Sequence, residues 1–130
     1  MGYKMCDAAD VETVNGVFRP IRRALGLTAF GINQEEFPPN ADGYPDHDHS
    51  EDGQEEVYVT LAGRGEIEIE GERHPLDPET VVMVGPGVKR KIRTGDQALR
   101  LLAIGGTAGK LYEAPDVSQL GAPDPLQQSN

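Results

Sequence analysis

The 130-residue chain has no tryptophan, 5% aromatic residues and a single cysteine, Cys6. Its core must therefore rest on Val, Ile and Leu with a few Phe and Tyr. One cysteine excludes an intramolecular disulfide framework and suits a reducing cytosol, so a cytoplasmic location is expected. No apolar run approaches the roughly 20 residues that span a bilayer. The opening "MGYKMCDAAD" lacks the apolar stretch of a secretory signal. Basic residues are scarce: 12 Lys and Arg stand against 22 Asp and Glu, a net charge of −10. Such a surface repels nucleic acid and anionic lipid, and neither is expected as a partner. The basic content gathers in "FRPIRR" (18–23) and "KRKIR" (89–93). Both read as solvated charged faces, with Arg90 as the exception argued below. There is no helical period of useful length, no internal repeat and no Ser/His/Asp nucleophile arrangement.

Turn formers are abundant, with 16 Gly and 10 Pro. They punctuate short apolar runs, the pattern of an antiparallel sandwich or barrel. "LTAFGIN" (27–33) reads as a strand and "EEFPPNADGYP" (35–45) as a turn-rich connection. "EVYVTL" (56–61) alternates, with Val57, Val59 and Leu61 on one face and Glu56, Tyr58 and Thr60 on the other. "GRGEIEIEGER" (63–73) is a strand that ends in a turn at Gly71. "TVVMV" (80–84) reads as a short buried strand, with Met83 and the earlier Phe30 in the core. "VKRKIR" (88–93) and "ALRLLAI" (98–104) are two further strands. One helical turn is expected near Ile21 to Leu25. The chain divides into an N-terminal arm (1–24), a barrel domain (25–106) and a Pro-rich, partly disordered C-terminal extension (107–130).

Chemistry concentrates in "HDHSEDGQEEVYVTLAG" (47–63). His47 and His49, two apart, point to one side of an extended chain, and Asp46 and Asp48 point away. A neighbouring strand starting at Glu56 would bring a carboxylate against the two rings. Imidazole and carboxylate together suit Zn, Fe, Ni, Cu or Mn. Glu55 and Glu56 point oppositely, so only one can join. Tyr58 shares the face of Glu56 and would line the same cavity, as a hydrogen-bond donor or as packing. In the competing arrangement Val57, Val59 and Leu61 form the only core face and "HDHSED" is a solvated loop. His74, in "ERHPLDP", reads as a surface histidine.

The same stretch resembles the first motif of the cupins: His-x-His, a short loop, a Glu, six residues, a Gly. "LDPETVVMVGPGVKR" (76–90) resembles the second, in which a Pro-Gly turn precedes a histidine. The resemblance spans residues 25 to 106. It implies an all-β double-stranded β-helix, or jelly-roll barrel, with the site inside, and a homodimer. It also implies that His47, His49 and Glu56 are metal ligands, Glu56 because it keeps the six-residue distance to Gly63. The loop between His49 and Glu56 has six residues rather than three or four, which leaves Glu51 or Asp52 free to intrude. The second-motif histidine falls on Arg90. Val88, Arg90 and Ile92 share a face, so Arg90 points inward. A guanidinium gives no lone pair to a metal, and a buried one needs an anionic partner.

Three arrangements follow. Arg90 replaces the metal and pairs with Glu56; or the triad holds a divalent metal (Fe, Mn, Ni or Zn) while Arg90 grips an anionic substrate; or Arg90 and the histidines bind a small anion without metal. The expected function is that of a small stand-alone barrel protein with a pocket of His47, His49, Glu56 and Arg90. The pocket binds a metal, a small anionic metabolite, or both, and Arg90 and Tyr58 contact the ligand. Whether it catalyses is open; a catalytic version would be a metal-dependent dioxygenase or isomerase. The alternative is a metal-free dimer closed by Arg90 and Glu56.

Overall fold

Alternation along the strands sets which side chains the fold buries. In a computed structural model, which describes residues 2–114, the strands are β1 (Phe18–Arg19), β2 (Gly31–Phe37), β3 (Gln54–Gly63), β4 (Gly65–Ile69), β5 (Glu72–Leu76), β6 (Val81–Val84), β7 (Arg90–Arg93) and β8 (Leu99–Thr107). A short helix, α1 (Ile21–Leu25), lies where one helical turn is expected, and Gly26 ends it in the left-handed conformation. Of the expected C-terminal extension, residues 115–130 lie outside the described residues.

The strands form two antiparallel sheets, β1-β2-β8-β3-β6 and β5-β4-β7. This is the expected all-β jelly roll. Inward positions of the larger sheet bring Phe37, Tyr58, Val84, Leu99 and Leu101 against Ile67, Leu76 and Ile92 of the smaller. Each such fully buried aliphatic side chain stabilises by about 1.5–3 kcal/mol. Gly63 turns the chain from β3 into β4 at φ 81°, and a Cβ there would strike the Ala98 carbonyl oxygen. Only glycine meets both demands.

Several expectations need correction. The strand expected over 27–33 lies at Gly31–Phe37. Its second half carries Glu35 and Glu36, whose polarity reads as loop. In fact Glu35 points inward and Glu36 is paired with Arg19. β5 holds His74 and Pro75 and has no strand-like pattern. It is an edge strand, where proline is tolerated. β6 is also an edge strand rather than a buried one. Val81 is 64% and Met83 61% exposed, and Phe30 is exposed as well, so neither Met83 nor Phe30 is core. Of the two arrangements open for β3, the structure has Tyr58 and Thr60 on the core face, with Val57, Val59 and Leu61 facing outward, so the competing arrangement is the one that falls.

Glu35 is a buried acid within this core. It is 3% exposed and its Oε1 has no hydrogen-bond partner; nor does the buried Thr60 Oγ1, one strand beyond Leu101 in the same row. Burial, reinforced by the charge of Glu56, pushes the Glu35 carboxyl from 4.5 up to about 8. The folded chain therefore keeps a proton that the unfolded chain has released across this window. The stability contributed is fully present below pH 4.5 and is lost as pH rises through 8, at about 1.4 kcal/mol per pH unit. Glu35→Gln mimics the protonated acid. It should match wild type in urea unfolding near pH 4.5 and exceed it at pH 8. A variant less stable than wild type at pH 8 would show instead that Glu35 is ionised and paired.

A candidate metal centre at one end of the barrel

The site is built where β3 begins. The inward alternation of β3 presents Glu56 to the barrel, flanked in register by Gly105 of β8 and Val84 of β6. Gly105 leaves the space that the Gln54 amide occupies, since a Cβ there would lie 2.7 Å from Gln54 Oε1. His47 is carried by the preceding loop. It is pinned to the first residue of β7 by two backbone hydrogen bonds, His47 N to Arg90 O at 3.0 Å and Arg90 N to His47 O at 2.9 Å. His49 N donates to Pro86 O at 2.7 Å. The turn "GPG" and the start of β7 thus fix the backbone of both histidines.

His47, His49 and Glu56 offer one ligand atom each within 4.8 Å of one another. His49 Nε2 lies 3.1 Å and His47 Nε2 3.9 Å from Glu56 Oε1. Ligands at right angles on one ion, each about 2.1 Å from it, stand about 3 Å apart. The outer nitrogens are committed elsewhere. His47 Nδ1 lies 3.1 Å from the Pro45 carbonyl oxygen, and His49 Nδ1 lies 3.1 Å from an Asp52 carboxylate oxygen. Both partners accept only, so in the neutral rings Nδ1 carries the hydrogen and the Nε2 lone pair faces the site. His49 Nε2 is buried and, although close to Glu56, is not aligned with it as a hydrogen bond. A buried ring nitrogen without a partner, in a set of two imidazoles and a carboxylate, fits a divalent transition metal.

Glu56 Oε1 also receives the Tyr58 hydroxyl at 2.7 Å and lies 3.5 Å from Arg90 Nη1. Burial pushes the Glu56 carboxyl up, but His49, Tyr58 and Arg90 outweigh it and hold the group below the ordinary carboxylate range. The Glu56 carboxylate raises the His49 ring above its usual value; burial opposes this and Asp52 assists. Burial drives both Tyr58 and Tyr44 upward; the charges of Glu35 and Glu56 reinforce it at both rings, Tyr44 adds to it at Tyr58, and Arg90 and Tyr58 oppose it at Tyr44, so both phenols stay protonated.

Arg90 points inward as its alternation with Ile92 requires, and it is 0% exposed. Its Nη2 donates to Gly85 O at 2.8 Å, while Nε and Nη1 make no hydrogen bond. Tyr58 is likewise fully buried. The structure therefore brings His47, His49, Glu56, Tyr58 and Arg90 together. Of the two acids in the longer loop, Asp52 reaches His49. His74 lies away from the site and is exposed. Sequence reasoning missed Tyr44, whose ring packs tilted or edge-on with centroids 5.3 Å from His47, 5.6 Å from Phe37 and 6.1 Å from Phe18. Its only sequence signal is an aromatic residue in a turn just before the histidines.

The family model described as "Cupin domain" matches residues 33–105. No curated protein matches the chain. Among solved structures, a cupin protein from Bacteroides fragilis has 24% identity and a TM-score of 0.71, over 92% of this chain and 97% of that one. A cupin 2 conserved barrel domain protein from Salinispora arenicola has 22% identity and a TM-score of 0.62, over 83% and 90%. A structure described as a sugar phosphate isomerase of the cupin superfamily, from Silicibacter pomeroyi, has 20% identity and a TM-score of 0.68, over 87% and 83%. At these identities the neighbours speak for the fold alone. The family match covers more than half of the chain and includes both histidines, Glu56 and Arg90, and on that ground the chain belongs to the cupin family.

Proposed function

We propose that this cupin binds a divalent transition metal through His47, His49 and Glu56 and takes a small anionic metabolite at that metal. The observation that carries the reading is the pair of histidines whose Nδ1 atoms face outside acceptors while both Nε2 atoms converge on one carboxylate oxygen. A metal bound there would supply a Lewis acid with open positions. Arg90 raises the cost of a divalent ion by about 8 kcal/mol at a separation of 4 Å and an effective dielectric of 20. It also leaves a charge imbalance. Glu56 and Arg90 cancel, so the ion's own charge stands uncompensated and favours an anionic ligand. Arg90 is fully buried, which favours a role through its field over the ligand contact expected from the sequence. Tyr58 supplies a fixed proton on Glu56 Oε1 and orients the carboxylate. Sugar phosphates are the first anions to test, because one neighbour of this fold is described as acting on them.

A second reading rests on a different observation. Glu56 Oε1 already receives the Tyr58 hydroxyl and faces Arg90, as a metal-free, closed site would require. Elemental analysis of tag-free protein separates the two. Stoichiometric metal that is lost in His47→Ala is expected. Metal far below stoichiometry after incubation with Fe, Mn, Ni and Zn would establish the closed site instead.

We further infer that the chain works as a homodimer in the cytoplasm. The larger sheet's outer face carries two cross-strand rows, Ile32–Ile104–Val57–Met83 and Gln34–Leu102–Val59–Val81. Ile32, Val57, Val59, Leu102 and Ile104 are half-buried, and Val81 and Met83 at the edge are largely exposed. An apolar sheet face of this kind is what a second copy would bury. The exposed free thiol of Cys6 suits a reducing compartment. Sedimentation should show a dimer for wild type and a monomer for Met83→Lys with an unchanged circular dichroism spectrum. A monomeric wild type would refute the interface.

A further inference from the structure

The loop that lengthens the first motif also builds a support for one histidine. Asp52 sits in it, half-exposed, on the far side of His49 from Glu56. Its Oδ1 accepts from Gln54 N at 3.1 Å, closing the turn into β3, and its Oδ2 lies 3.4 Å from Gln54 Nε2. The two carboxylate oxygens lie 3.2 and 3.1 Å from His49 Nδ1. The Asp52 backbone is held too, since its carbonyl accepts from Thr107 Oγ1 at 3.1 Å at the end of β8. His49 O accepts from Gly53 N at 2.8 Å, so the loop folds back on the histidine it supports. Gly53 makes this return at φ 70°.

We propose that Asp52 is a positioning residue of the site: it holds His49 as the Nδ1–H tautomer with its Nε2 lone pair aimed between His47 and Glu56. The inference rests on the reading of His49 as a metal ligand, and adds a residue outside the triad to it. The physical case has three parts. The carboxylate accepts only, so the bond to Nδ1 selects one of two tautomers. A carboxylate behind an imidazole raises its basicity and restricts ring rotation, which strengthens its bond to a metal. Asp52 is itself anchored by Gln54 and Thr107, so it is a fixed post rather than a mobile surface acid. His47 has a neutral counterpart, the Pro45 carbonyl, so the two rings are oriented by partners of different charge.

The test reads the tautomer first and the metal second. Long-range nitrogen–proton correlation spectra of 15N-labelled apoprotein, recorded at alkaline pH, report which ring nitrogen carries the hydrogen. Wild type should show His49 as Nδ1–H. Asp52→Ala should shift it toward Nε2–H while leaving His47 unchanged, and Asp52→Asn, whose side-chain oxygen still accepts, should restore the wild-type pattern in part. Cobalt(II) titration should then show affinity lowered by about 10- to 100-fold in Asp52→Ala and by less in Asp52→Asn. A His49 tautomer that is the same in wild type and both variants overturns the proposal, whatever the metal does. A tautomer shift with no cobalt binding by wild type keeps Asp52 as the positioning residue and removes the metal reading. If Asp52→Ala does not fold, Asp52→Ser, which removes the carboxylate behind Nδ1 and keeps an acceptor for Gln54 N, decides instead: wild-type tautomer populations and wild-type cobalt affinity combined with loss of thermal stability would make Asp52 a loop anchor only.

Discussion

One carboxylate oxygen organises the site. Glu56 Oε1 has the Tyr58 hydroxyl at 2.7 Å, His49 Nε2 at 3.1 Å, Arg90 Nη1 at 3.5 Å and His47 Nε2 at 3.9 Å. These groups come from the loop before β3, from β3 itself and from β7, so both sheets must close before the cluster exists. Register enforces the arrangement. A slip of one residue on β3 would send Glu56, Tyr58 and Thr60 to solvent and turn Val57 and Val59 inward. Hydrophobic burial alone favours that slip, because valine is the better core residue. The inward Tyr58 offsets this with a large ring that fills the barrel and a hydroxyl that finds an acceptor at once.

The same alternation explains the outer face. If polar residues take the inside of β3, apolar ones are left outside, and they line up with Ile104 and Leu102 of β8 and with Met83 and Val81 of β6. A polar barrel interior and an apolar sheet exterior are thus one choice of register seen from two sides. The chain's negative charge lies elsewhere, in turns and on strands such as β4, where Glu66 and Glu68 alternate with Ile67 and Ile69.

Much of this was legible in the sequence, for uneven reasons. The inward direction of Arg90 followed from period-two alternation with Val88 and Ile92, and the turn at "GPG" from its composition. The meeting of His47, His49 and Glu56 was suggested by spacing but made specific by resemblance to the cupins. What escaped depended on long-range pairing. β5 escaped because His74 and Pro75 do not look like a strand, and an edge position is what admits them. The second half of β2 escaped because two glutamates read as loop until Arg19 and the barrel interior account for them. Apolarity alone puts Met83 and Phe30 in the core, because it does not distinguish an inner from an outer sheet face. The contact of Asp52 with His49 depends on loop geometry, which has no period to read.

Arg90 ties the chemistry back to the fold. A fully buried guanidinium is costly unless a carboxylate accompanies it, and Glu56 is the acid within ion-pair distance of it among the described residues. Glu56 therefore has two claims on its charge, one from the arginine and one from any ion held by the histidines. The arginine's claim persists without metal, together with the hydrogen bond from Tyr58, so the charge of Glu56 is met without an ion, while His49 Nε2 is left without a partner. A metal bound as proposed would therefore not be a condition for folding, unlike the metal of small domains whose cores form only around it. On the proposed reading a fixed positive neighbour would weaken the hold on a cation, and that same neighbour would make a bound ion a stronger attractor of anions.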